Sequence, residues 1–210
     1  MNKYSFDKHI QNALGRVRKS LEDKQVILAS ASPRRKELLS LFCGDFEVKP
    51  ADIDENVPEI IPVQMASEYL AREKCRAVAL HYPDAVVIGS DTTVIVDDTI
   101  LGKPTDEADA GSMLKTLSGR THSVISGIAV CCKGKMKSSS DETPVVFSKL
   151  DDEFISAYIK TGSPLDKAGA YGIQELDASV AHIESGSLTN VIGLPVEELA
   201  LLLDAFLREV

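Results

Sequence analysis

The spacing of apolar positions changes several times along the chain, and each change marks an element. Phe6, Ile10, Ala13, Leu14, Val17 and Leu21 recur every three or four residues between Lys, Arg, Asp and Gln, which predicts one amphipathic helix in an N-terminal extension, residues 1–24. Such a helix packs on a domain or at a dimer contact. Lys3, Lys8, Arg16, Arg18 and Lys19 would also suit an organelle-targeting helix, but Asp7, Glu22 and Asp23 argue against it, because targeting helices are poor in acids.

Residues 25–210 read as one domain. Val26-Ile27-Leu28-Ala29 is a short buried strand, Ser30-Ala31-Ser32-Pro33 a tight turn, and Arg34 to Phe42 a helix with proline at its start. A second strand falls at 46–48, followed by the acidic loop Ala51-Asp52-Ile53-Asp54-Glu55. A helix from Pro62 to His81 is expected to turn Met65, Tyr69, Leu70, Ala77 and Leu80 toward the core. The continuous run Ala85-Val86-Val87-Ile88-Gly89 suits a central strand, extended by residues 92–96 and turned at Asp97-Asp98 toward Ile100-Leu101. Asp106 caps a helix to Leu117. Residues 121–132 and 143–149 are strands joined by a polar Lys/Gly/Ser loop, and helices cover Asp151 or Asp152 to Lys160 and Pro195 to Leu207. Strands and helices alternate with hairpins between them. The fold class is α/β (mixed α+β), a long twisted mixed sheet with flanking helices.

Composition narrows the function classes. The 210 residues carry a formal net charge of -9, so a long phosphate backbone is a poor partner and nucleic acid binding is not expected. Any phosphate chemistry needs a confined pocket where cations converge. Cys43, Cys75, Cys131 and Cys132 form no CxxC pair, and strand alternation sends 131 and 132 to opposite faces, a poor zinc geometry. Free thiols in a reducing compartment follow. No apolar stretch approaches the ~20 residues of a membrane span, and the chain starts without a secretory apolar block, so a cytoplasmic, non-membrane protein is expected.

Four constellations carry possible chemistry. Ser30-Ala31-Ser32-Pro33-Arg34-Arg35 joins a strand to a helix N-terminus, where backbone donors, a hydroxyl and two guanidinium forks suit phosphate oxygens, although a capped helix with solvated arginines has the same sequence. Asp91, in Gly89-Ser90-Asp91-Thr92 at the end of a buried strand, suits a metal ion or an activated water, and Glu55 a second metal ligand; turn and loop acids are the plain alternatives. Lys74, Lys103 and Lys167 are point charges for a triphosphate. Gly169-Ala170-Tyr171-Gly172-Ile173-Gln174 lets backbone approach a ligand and offers an amide to a base edge. There is no Walker A loop, no GxGxxG and no GxSxG elbow, and the four histidines are scattered.

Taken in order, these blocks resemble the Maf family of nucleotide pyrophosphatases. The matching stretches are residues 28–39, 51–55, 70–74, 89–92, 102–104, 117–122, 162–174 and 190–195, covering nearly all of the chain after its N-terminal helix. The resemblance implies a two-lobed fold like that of inosine triphosphate pyrophosphatases, a nucleotide cleft between the lobes, Mg²⁺ or Mn²⁺ as cofactor, and a homodimer. By position, Asp91 matches the catalytic acid, Glu55 the second acid, and Ser30, Arg34, Lys74 and Lys103 the phosphate-binding residues. Arg35, Thr92 and Gln174 match positions marking the branch that acts on dTTP and UTP rather than 7-methyl-GTP. Hydrolysis of these, or of modified pyrimidine nucleotides, to monophosphate and diphosphate as a house-cleaning activity is therefore expected. The alternative is a nucleotide-binding regulator of septum formation without turnover. Ser187-Leu188-Thr189 departs from the family pattern, which often carries an aromatic there.

Overall fold

The computed structural model describes residues 4–210, which leaves Lys3 of the extension outside the described residues. Helix α1 (Lys8–Leu21) starts where Asp7 accepts the backbone N–H of Ile10 at 2.9 Å, and it buries Ile10, Ala13, Leu14, Val17 and Leu21. Strand β1 (Val26–Leu28) leads through residues 29–32 into α2 (Pro33–Leu39), capped by Ser32. The turn then passes β2 (Glu47–Val48) and a 3-10 turn (Val63–Met65) to reach α3 (Ala66–Ala79). Strand β3 (Val86–Val96) hairpins into β4 (Thr99–Leu101) at Asp97 and Asp98, both at positive φ. Asp106 caps α4 (Glu107–Leu117), which precedes β5 (Thr121–Cys132) and β6 (Lys135–Phe147). Asp151 caps α5 (Asp152–Lys160); β7 (Ala181–Ile183), α6 (Leu188–Ile192) and α7 (Val196–Phe206) complete the chain.

The seven strands form one mixed sheet in the order β2-β1-β3-β5-β6-β7, with β4 paired to β3. β1 pairs in parallel with β2 and β3, and every other pairing is antiparallel. Around one end, α1, α2 and α7 cover one face, with Val86, Ile88, Ile128 and Val130 beneath them. α3 covers the opposite face above Ile27, Val87 and Ala129. At the other end of β3 and β5, α4 and α5 close a second core around Val94, Val124, Val145 and Phe147. Two lobes therefore share two long strands. α1 lies against α7, tied by Arg16 to Asp204 at 2.8 Å, so this helix is packed on the body of the protein.

Three expectations change. The extension of the Ala85 run through residues 92–96 is seen, but Asp91 is not at a strand end: β3 is unbroken to Val96, and Asp91 sits mid-strand opposite Gly127. The polar Lys/Ser stretch after residue 134 is no loop but the first part of β6, reached by a tight turn at Lys133-Gly134 with both φ positive. β7 pairs only with residues 145–147 of β6, so most of that polar strand is an edge that accepts serine and lysine. Finally, α3 buries Ala66, Ser67, Leu70, Ala71, Lys74, Cys75 and Val78, while Met65 and Leu80 are exposed. A face of small residues wins because α3 lies directly on glycines: a Cβ on Gly89 would stand 2.3 Å from the Ala71 carbonyl oxygen, and one on Gly127 2.3 Å from the Glu68 nitrogen.

Candidate active site

Between the lobes lies an open cleft of ≈ 640 Å³. Strand alternation sorts its floor. Asp91 points with Gly89 toward α3, whereas Ser90 and Thr92 point toward α6. The close seat of α3 on Gly89 and Gly127 brings Lys74, about two turns along one helix face from Ser67, over the floor, where its Nζ lies 2.6 Å from Asp91 Oδ1. The same Nζ lies 2.9 Å from Glu55 Oε1, so the acidic loop, the helix and the central strand meet at one ammonium. Lys74 and Asp91 are buried and Glu55 is exposed. Partial burial works to raise the Glu55 carboxyl, but the hydrogen bond and charge of Lys74, with Lys103 and Arg35, outweigh it and hold it below the usual range.

The second knot is Arg35. Its Nε donates to the Gly193 carbonyl at 2.9 Å, Nη1 to Ser30 Oγ at 3.1 Å and Nη2 to Thr92 Oγ1 at 3.1 Å. Burial pulls this guanidinium below its usual value against the charges of Asp91 and Glu55, and it remains a cation. Thr92 continues into Ser126 at 2.8 Å, and Ser126 is fixed by Asn190 through its backbone N–H and hydroxyl. The fully buried Asn190 amide also donates to Val124 and Thr143. Sequence reasoning gave no role to Ser126, Asn190 or Gly193; only the positive φ of Gly193, 124°, sets that residue apart locally.

On the far wall Arg34 meets Asp166 at 3.2 Å, the one ion pair among the described residues that joins α2 to the second lobe's loop. Lys167 is already engaged by Ser163 O, Ser163 Oγ, Asp166 Oδ1 and Glu175 Oε1 at 2.6–3.1 Å, so it braces residues 163–175 instead of offering a free charge. Within that braced segment Gln174 is exposed and lines the cleft, as does the exposed Lys103 beyond β4. The departing segment 187–189 caps α6, with Ser187 and Thr189 both donating to Glu197, away from these groups.

The nine residues matched by position to the family's site thus line one cleft: Ser30, Arg34, Arg35, Glu55, Lys74, Asp91, Thr92, Lys103 and Gln174. Counting Lys167 and Asp166, five cationic side chains face three carboxylates there, which makes the cleft cationic within an acidic chain. No histidine lines it. His122 is buried against Tyr171 at 2.7 Å, and burial lowers it to about 4, leaving it neutral. Among the described residues no three Asp, Glu, His or Cys groups converge to hold an ion alone. Asp91 and Glu55 both reach the Lys74 ammonium, and two such carboxylates suit a hard divalent ion when phosphate oxygens and water complete its shell.

A Maf family model, described as Maf-like protein, matches residues 25–206. The dTTP/UTP pyrophosphatase of Thermococcus gammatolerans is 48% identical over 172 residues, spanning 82% of this chain and 91% of the relative. The dTTP/UTP pyrophosphatase of a Geobacillus strain is 46% identical over 173 residues, 82% of this chain and 93% of the relative. Among solved structures, the Staphylococcus aureus Ham1 protein superposes with a TM-score of 0.52 at 16% identity over 89% of this chain and 99% of that one, a likeness of fold.

Proposed function

The chain belongs to the Maf family, and from that premise we propose that it hydrolyses the pyrimidine nucleoside triphosphates dTTP and UTP to monophosphate and pyrophosphate in the cleft between its lobes. The observation that carries this reading is the placing of Asp91 and Glu55 around Lys74 at the floor of a cationic cleft. A pure phosphate binder gains nothing from two carboxylates turned toward a polyphosphate; a hydrolase needs one of them.

In this reading Ser30, Arg34, Lys74 and Lys103 hold the phosphate chain, and Gln174 faces the base end. Asp91 orients a water for attack at the α-phosphorus and takes its proton, while pyrophosphate departs toward Lys103 and Arg34. Lys74 fixes the orientation of Asp91 beforehand, at 2.6 Å. Cations already positioned stabilise the charge that grows on the leaving group without reorganising at the moment of reaction. Asp91 and Glu55 would hold Mg²⁺ or Mn²⁺ together with substrate oxygens, and the ion would supply further neutralisation of the phosphates. The proposed setting is a cytoplasmic homodimer that clears unwanted pyrimidine nucleotides, modified ones included. The dimer is supported by the exposed Ile60 and Met65 beside the acidic loop, and no helix among the described residues is long and apolar enough to cross a membrane.

The test is a nucleotide panel with Mg²⁺ or Mn²⁺, scored for pyrophosphate against orthophosphate. Pyrophosphate from dTTP and UTP is expected, and Asp91→Asn should lower kcat by ~10²–10⁴ while the thermal unfolding curve is kept. Orthophosphate would mean γ-cleavage and overturn the proposal; binding without product would leave a nucleotide-binding regulator.

A further inference from the structure

Behind the cleft floor, the layer between α3 and the sheet contains two thiols that face each other. Cys75 follows Lys74 on α3, and Cys131 lies on β5; both belong to one buried apolar cluster. Cys75 Sγ donates to the Val87 carbonyl at 3.2 Å. Val87 is the residue directly opposite Cys131 in the β3–β5 ladder. Opposed residues in such a ladder carry Cβ atoms about 4.5–5.5 Å apart, so a thiol seated over Val87 is seated beside Cys131. Both side chains therefore lie in the same layer under α3, on neighbouring positions of the sheet. Cys132 points to the opposite face of the sheet, into the core shared by α1 and α7, and Cys43 lies beyond α2 in that same region.

We propose that Cys75 and Cys131 form a reversible disulfide in response to peroxide, and that this crosslink controls the cleft through Lys74. Cys131 is the residue that reacts first: it reaches solvent at 8% exposure, whereas Cys75 has none. The neighbouring Cys75 thiol, and after it the Arg76 charge, hold the Cys131 thiol down at about 7 against its burial. The nearness of Cys131, together with burial, pushes Cys75 well up. The Cys131 thiolate attacks one peroxide oxygen, the O–O bond breaks, and the departing hydroxide takes a proton as water. Cys75 then gives up its proton and attacks the sulfenic sulfur of Cys131; the S–O bond breaks and a second water leaves. One peroxide is reduced and two thiols are oxidised, and a dithiol reductant reverses the bond.

A disulfide fixes its Cβ atoms near about 3.8 Å, so closing it sets the position of α3 on the sheet. The helix has no slack to absorb this. A Cβ on Gly89 would lie 2.8 Å from Cys75 Cβ and 2.3 Å from the Ala71 carbonyl oxygen. The displacement passes along the helix to Lys74, whose ammonium spans Asp91 and Glu55. This activity half rests on the pyrophosphatase reading above; the crosslink half does not.

The full chain is treated with hydrogen peroxide, quenched, and mapped by non-reducing peptide mass spectrometry alongside thiol counting. Two of the four thiols should be lost, with a Cys75–Cys131 linked peptide within one chain. Triphosphate turnover should fall by up to about 10²-fold, the scale of a 1 Å misplacement of a positioning group, and recover with dithiothreitol. Cys131→Ser should show neither the link nor the loss, while Cys132→Ser, on the other face, should show both. Four thiols remaining, or links to Cys43, Cys132 or a second chain, would overturn the site. The link forming with turnover unchanged would overturn control through Lys74. An enzyme inactive before oxidation would refute the pyrophosphatase reading and leave the mass-spectrometric result standing.

Discussion

At the scale of single residues, the site depends on side chains whose roles come from distant partners. Arg35 stands beside Arg34 in sequence, and both offer the same fork to phosphate. In the fold they separate: Arg34 faces the second lobe's Asp166, and Arg35 donates to Ser30, Thr92 and Gly193. The nearest of these is five residues away in the chain and the farthest 158, so only the first was accessible to a local reading. Asp166, Ser126 and Asn190 were invisible for the same reason, since an isolated Asn or Ser carries no signal of what it will meet. Arg35→Lys keeps the charge and loses the fork, so a lysine can satisfy at most part of three divergent acceptors. With a hydrogen bond to a charged group worth about 1.5–3 kcal/mol, kcat/KM should fall about 10- to 100-fold. Steady-state kinetics on dTTP check this, and a change within experimental scatter would show that Arg35 touches phosphate as a simple charge.

At the scale of elements, most helices and strands were legible because their periods and caps agree. Asp106 caps its helix as expected and Asp151, one of two expected starts, caps the next, while Asp7 caps α1 without having been marked as its start. The failures share one physical cause, the sheet's packing. Counting large apolar residues placed Leu70 inside correctly but also turned Met65 and Leu80 inward, whereas a helix seated on glycine buries Ala66, Ala71 and Cys75 and leaves those two out. The same seating lets a lysine be buried at the site. Gly127 therefore couples packing to chemistry: it lies opposite Asp91 and under the start of α3. Gly127→Ala would put a Cβ 2.3 Å from the Glu68 nitrogen, a backbone atom that cannot rotate away. Overpacking of this kind costs about 1–3 kcal/mol, and the relief available is for α3 to lift and carry Lys74 from Asp91. Chemical denaturation should show that loss, and turnover of the folded fraction should fall more steeply than stability does. Wild-type turnover in the variant would mean that α3 does not position Lys74.

At the scale of the whole molecule, the two lobes are one sheet with a core at each end, and the cleft sits where β3 and β5 pass from one core to the other. The first of those cores includes α1, although the family match begins only at residue 25. Ile10, Leu14, Val17 and Leu21 pack in the same cluster as Leu199, Leu203 and Phe206 of α7. Burying such side chains contributes about 1.5–3 kcal/mol each, an upper estimate because unfolded chains already hide some surface. Four of them approach the ~5–15 kcal/mol that separates a typical folded domain from its unfolded state. No residue of α1 lines the cleft, however, so stability and chemistry are separable here. A chain beginning at residue 25 should either aggregate or unfold at a far lower urea concentration than the full chain, and whatever remains folded should keep its turnover number. Equilibrium denaturation of the two forms, with activity measured on the soluble fraction, decides between this and a peripheral α1. An unchanged urea midpoint would show that α7 is stable without its cover.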